Sequence, residues 1–248
     1  MKKYRWAAYS SVIVFLTVFL MSSCKKSDAP EYHQNVSGLM AVNLATDQVV
    51  TMNISGNTFT YPLGPGNYNG GYAGIYPGKR MVEAVSAYNY FSVASATHDF
   101  EVNKAYSSFI VGSDSLYQNI IVNDNIDSTD ANGKAFIRYI NAIPGSTDAA
   151  VSIGSDAAKA AAYAQVSDFE RINAGDLAVQ LKGDSISASR NINFEAKKVY
   201  TILLLPGENK SDSVQIKYII NGTYDDLVNS NETKVSGTMK SSTASSVR

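Results

Sequence analysis

The chain of 248 residues repeats itself, and an internal repeat limits an architecture before any single residue does. Leu39-Met40-Ala41-Val42-Asn43 aligns with Ile137-Arg138-Tyr139-Ile140-Asn141 at an offset of 98 residues. Tyr72-x-x-Ile75-x-Pro77-Gly78 aligns with Phe169-x-x-Ile172-x-Ala174-Gly175 at 97, and Phe100-Glu101-Val102-Asn103-Lys104-Ala105-Tyr106 with Phe194-Glu195-Ala196-Lys197-Lys198-Val199-Tyr200 at 94. Three anchors in one order define two copies of a unit, residues 37–126 and 134–222, with a linker at 127–133. The tail 223–248 is rich in Ser and Thr without an apolar period, and is expected to be disordered.

Hydrophobicity within each copy has period two over short segments. In the second copy Ala135–Ile140, Ala149–Ile153, Leu177–Leu181, Val199–Leu205 and Val214–Ile220 read as strands, separated by Pro144-Gly145, Gly154, Gly183, Pro206-Gly207 and Asn221-Gly222. This predicts an all-β chain of two tandem antiparallel β-sandwiches. The alanine-rich run 156–165 is the one good helix candidate. Residues 64–71 of the first copy, with four glycines and a proline, read as a loop.

The first 23 residues read as a signal peptide. Lys2, Lys3 and Arg5 precede an apolar run from Ala7 to Met21, shorter than the ~20 residues that cross a bilayer comfortably. It ends in Leu20-Met21-Ser22-Ser23-Cys24, which resembles the bacterial lipobox, and Cys24 is the only cysteine. The resemblance implies a diacylglycerol thioether and an acylated amino terminus on Cys24. At ~0.8 kcal/mol per buried CH₂, more than one acyl chain anchors a protein stably. Residues 24–36 then form a lipidated tether. Ser22-Ser23-Cys24-Lys25-Lys26 is similar to the start of Bacteroidota lipoproteins, which implies the outer membrane. Lys25-Lys26 does not fit the acidic surface-export pattern, so cell surface and periplasmic face both stay open.

Ile137-Arg138-Tyr139-Ile140-Asn141-Ala142-Ile143-Pro144-Gly145, with Ile172-Asn173-Ala174-Gly175 and Lys198-Val199-Tyr200-Thr201-Ile202, resembles domain-of-unknown-function family 4397. The resemblance is good over 134–222 and weaker over 37–126, where the Pro-Gly after Asn43 is missing. It implies immunoglobulin-like or transthyretin-like β-sandwiches of exported bacterial proteins, and offers no catalytic residue to carry over.

Composition narrows the chemistry. One cysteine and two histidines exclude the common zinc sites, and a formal charge of -1 gives no basic field for nucleic acid. No cofactor is expected. With His33 in the tether, His98 is the sole imidazole left to a folded copy. Asp99, its neighbour, points to the opposite face of a strand, so the two do not form a catalytic orienter pair. Gly74-x-x-x-Gly78-Lys79-Arg80 fails as a phosphate loop in spacing and in lacking Ser or Thr after the lysine. Residues 124–133 carry oxygen donors suited to calcium, but their spacing is not that of an EF-hand loop, and an acidic linker is the better reading.

Tyr61, Tyr68 and Tyr76 around the glycine-rich loop are the candidate ligand-binding residues, with Tyr72 read as core through its equivalent Phe169. Flat amphipathic rings stack on sugars or anchor proteins. Ser115, Ser128, Ser185 and Ser213 follow aspartates in a pattern similar to an O-glycosylation signal of exported Bacteroidota proteins, and equally to turn residues entering strands. The expected function is a non-enzymatic, lipid-anchored binding or adhesion module for a glycan or protein ligand. The alternatives are a periplasmic assembly subunit of an outer-membrane complex and, third, a carbohydrate-active enzyme.

Overall fold

The computed structural model describes residues 35–126, 131–183, 185–207 and 214–229. The signal segment, Cys24, Ser128 and Ser213 lie outside them. The first copy is built from β1 (Ser37–Ala45), β2 (Val50–Ile54), β3 (Asn57–Thr58), β4 (Asn67–Tyr68), β5 (Ala73–Ile75), β6 (Gly78–Ser86), β7 (Ser92–Phe100), β8 (Ala105–Ser113) and β9 (Leu116–Asn123). The second holds β10 (Lys134–Asn141), β11 (Ala150–Ile153), β12 (Lys159–Ala160), β13 (Glu170–Asn173), β14 (Gly175–Lys182), β15 (Ser187–Phe194), β16 (Lys198–Pro206) and β17 (Val214–Thr223). A helix, α1 (Tyr224–Asn229), follows.

The chain is an all-β fold of four sheets. Strand order is β4-β1-β8-β9, with β5 also on β1, and β3-β2-β6-β7 in the first copy. In the second it is β13-β10-β16-β17 and β12-β11-β14-β15. Pairing is antiparallel except at β1 with β8 and β10 with β16, which run parallel because the chain crosses through the other sheet of its copy between them.

The sheets stack as four layers. Leu39, Ala41 and Tyr106 of the first copy's β1/β8 sheet pack on Met52, Val82 and Phe100 of its β2/β6 sheet. Ile137, Tyr200 and Ile202 pack likewise on Val151, Val179 and Phe194 in the second. The opposite faces of the β1/β8 and β10/β16 sheets then meet, with Met40, Val42, Phe109 and Val111 against Ile140, Leu203, Leu205 and Ile219. A sheet covered on both sides needs apolar residues at successive positions. Hence β8 and β16 are buried almost throughout, while the outer strands β6, β7 and β15 alternate.

The repeat anchors turn out to be local locks. Asn43 and Asn141 each accept the N–H two residues on, at 3.0 and 2.9 Å, and donate to a carbonyl twenty residues ahead, Leu63 or Ala161, at 2.8 and 2.6 Å. Tyr106 and Tyr200 accept the N–H of Glu101 and Glu195 at 3.0 and 2.9 Å, and their rings meet Phe100 and Phe194 edge to face. This closes the turn before β8 and β16, as a tyrosine corner does in immunoglobulin-like sandwiches.

Two local expectations are corrected. The alanine-rich run is not a helix: Lys159 and Ala160 pair with β11, Ala161 is buried and bonded to Ala149 and Asn141, and Ala164 is left-handed at φ 61°. Helix propensity is worth tenths of a kcal/mol per residue and yields to such tertiary bonds. The start of the tail is not disordered: Tyr224–Asn229 form α1, which Thr223 and Asp226 cap reciprocally, while Leu227 is buried and Tyr224 stacks on Phe136.

Candidate functional site

Two features stand out from the framework, one buried and one exposed. The buried one lies between the copies. Arg138, on β10 where the first copy has Met40, donates from Nη1 to Asp124 and from Nη2 to the Ser107 hydroxyl at 2.7 Å. Its Nε reaches the Thr201 hydroxyl at 2.9 Å. Asp124 also accepts from Ser107 and from the Tyr72 hydroxyl. Asn221 donates to Tyr72 at 3.1 Å and accepts from Thr201 at 2.7 Å, closing a ring of side chains from both copies. Phe169 lies under the guanidinium at 4.3 Å. Burial, then the Asp124 charge, pushes the Tyr72 hydroxyl well above the usual tyrosine range. Every polar group of the ring is committed to another, so it joins the copies and presents nothing to a ligand. Asp124 thus belongs to this junction and not to an open acidic linker. Its carboxylate is unavailable to calcium.

The exposed feature is one end of the first copy. Tyr88, Tyr90 and Phe91 crown the β6–β7 hairpin at 77%, 81% and 72% exposure, and Tyr61 is 88% exposed on the segment that flanks β2. Backbone bonds put these on one end. Val50 pairs with Ser86 and exchanges N–H···O bonds with Leu63, and Ala87 donates to Val49 at 2.9 Å. The β8–β9 turn, with exposed Leu116, joins them through Asp47, which accepts from the Asp114 N–H at 3.1 Å and the Tyr117 hydroxyl at 2.7 Å. The hairpin loop is held in shape. Ser86 and Phe91 bond across it, the Phe91 N–H reaches the Asn89 side chain at 3.2 Å, and the register shifts between Ala84 and Val85. Tyr90 sits at φ 61°, a costly conformation for a non-glycine residue that clusters at binding sites.

This regroups the sequence candidates. Tyr61 belongs to the aromatic end. Tyr76 is exposed but precedes β6, about 33 Å from the hairpin end of that strand at ~3.3 Å per residue. Tyr68 is a correction: it is buried at 7% between the copies, drawn in by pairing with Val42. Phe91 was missed, since a single aromatic before a strand reads as core. Ser115 is exposed in the β8–β9 turn and Ser185 between β14 and β15, where both occupy turn positions. His98 is half-buried across from Arg80, its ring 5.0 Å from both Phe100 and Tyr106. Among the described residues no three His, Cys, Asp or Glu side chains gather as a metal site.

No family model matches the chain, and no curated protein does. Among solved structures it is similar to the crystal structure of a "putative cell adhesion protein" from Bacteroides eggerthii DSM 20697. That similarity is at 11% identity over 77% of this chain and 96% of that one, with a TM-score of 0.20.

Proposed function

We propose that this protein is a lipid-anchored binding module of the bacterial outer membrane, tethered through Cys24 and recognising its ligand with the aromatic end of the first copy. The kinship to family 4397 is part of the proposal and rests on the motifs quoted for it. One observation carries the binding role. All large apolar side chains standing fully in solvent among the described residues belong to the first copy, and five of them, Tyr61, Tyr88, Tyr90, Phe91 and Leu116, share one end. Exposed aromatics grouped on a held loop mark recognition surfaces. The second copy supports the first through its buried face.

The test is protease shaving of intact cells with an antibody to residues 134–222 and a periplasmic control, paired with ligand capture by cells carrying Tyr88→Ala/Tyr90→Gly. Loss of signal with the control intact, and loss of capture in the variant, is the expected result. Protection until the outer membrane is opened would replace the adhesion reading with that of a periplasmic assembly subunit.

A further inference from the structure

The geometry points to a neutral saccharide as the ligand of the aromatic end, an inference that rests on the binding role proposed above. Three of the four rings there are tyrosines, carrying a hydroxyl beside an exposed face. The apolar face of a pyranose stacks on such a ring while its hydroxyls bond to the polar groups around it. Those groups are present: Asn89 on the hairpin, Asp47 and Gln48 on the β1–β2 loop, and Asp114 and Ser115 on the β8–β9 turn.

Charge selects among saccharides. The loops that build this end, residues 46–49, 61–62, 87–92 and 113–116, hold two aspartates and no lysine or arginine. The cations of the first copy, Lys79, Arg80 and Lys104, lie at the other end of its strands. Two carboxylates with no cation on the same loops repel phosphate, sulfate and uronate groups, so anionic glycans and anionic lipid headgroups are disfavoured there. The rings project from turns at 72–88% exposure, so each offers an open flat face on which a single pyranose can stack. A weakly held, hydrated ligand gains most from a loop fixed beforehand, and the bonds within residues 86–91 supply that fixing.

The experiment is native affinity electrophoresis of the full mature lipoprotein in detergent. Gels contain laminarin, galactomannan or xyloglucan as neutral probes and alginate or dextran sulfate as anionic ones. Retardation by at least one neutral polysaccharide and by neither anion is expected, weakened about tenfold or more in both Tyr88→Ala and Tyr90→Gly, with unchanged melting temperature. Tyr90→Gly suits the test because glycine accepts the left-handed backbone without strain. Retardation by the anions alone, by none of the probes, or to the same extent in both variants overturns the saccharide assignment. If the gels show nothing while the same variants lose capture of labelled collagen or fibronectin on cells, the saccharide inference fails and the binding surface stands. If capture also persists, both fall.

Discussion

At the scale of single residues, Arg138 shows how a repeat is broken for a purpose. Its equivalent is Met40, and the apolar packing around Met40 would have served in both copies. A buried guanidinium is tolerable only with its partners in place. Arg138→Ala leaves Asp124 charged and uncompensated, and is expected to cost about 3–5 kcal/mol in denaturant unfolding. The double variant Arg138→Met/Asp124→Asn is expected to cost less than Arg138→Ala alone, because it removes both charges together. Tyr72 adds a pH dependence. A tyrosine whose folded pKa lies above its unfolded value of about 10 contributes stability that is complete below pH 10 and is lost as pH rises through the folded pKa. Alkaline unfolding is therefore expected to begin above pH 10. Tyr72→Phe, about 1–3 kcal/mol less stable at neutral pH for want of its hydrogen bonds, loses that share of the alkaline decline.

At the scale of elements, the hairpins carry the demands that sequence states least openly. Asp114 and Ser115 both have positive φ, 52° and 71°, as a type I′ turn requires. Ser115→Gly is expected to leave stability unchanged or raise it by up to about 1 kcal/mol, which allows the glycosylation candidate to be removed without harm to the fold. Gly112, just before that turn, is fixed more tightly. It sits at φ 134°, and a Cβ there would lie 2.2 Å from the Leu116 carbonyl oxygen. Gly112→Ala is expected to destabilise by about 3 kcal/mol, readable as a fall in melting temperature. The asparagine locks explain why Asn43 and Asn141 recur in the repeat. Each ties the N–H two residues on to a carbonyl twenty residues ahead from a buried position, so either Asn→Ala change is expected to cost about 2 kcal/mol.

At the scale of the molecule, the inner sheets bind the copies into one body. The shared cluster of Met40, Val42, Phe109, Ile140, Leu203 and Ile219 is as buried as either sandwich core. A single cooperative transition is therefore expected by calorimetry. Residues 131–229 expressed alone would bare Ile140, Leu203, Leu205 and Ile219, and are expected to self-associate, as sedimentation would show. The aromatic end is independent of this junction: exposed positions such as Tyr88 are expected to change stability by less than about 0.5 kcal/mol when truncated.

The sequence by itself determined the all-β class, the two-copy plan and the positions of most strands in the second copy, because alternation, turn residues and repetition are local signals. The double-faced burial of β8 and β16 is only partly written in apolar runs, Phe109–Val111 and Ile202–Leu205, because the buried Ser107, Ser108 and Thr201 interrupt them. What it left open was decided by contacts between segments far apart in the chain. Whether the alanine run became helix or sheet edge depended on β11 and Asn141. Whether Tyr68 faced solvent depended on the other copy, and which aromatics shared an end depended on strand register. Those choices rest on free energies summed over many distant partners, and no window of neighbouring residues contains them.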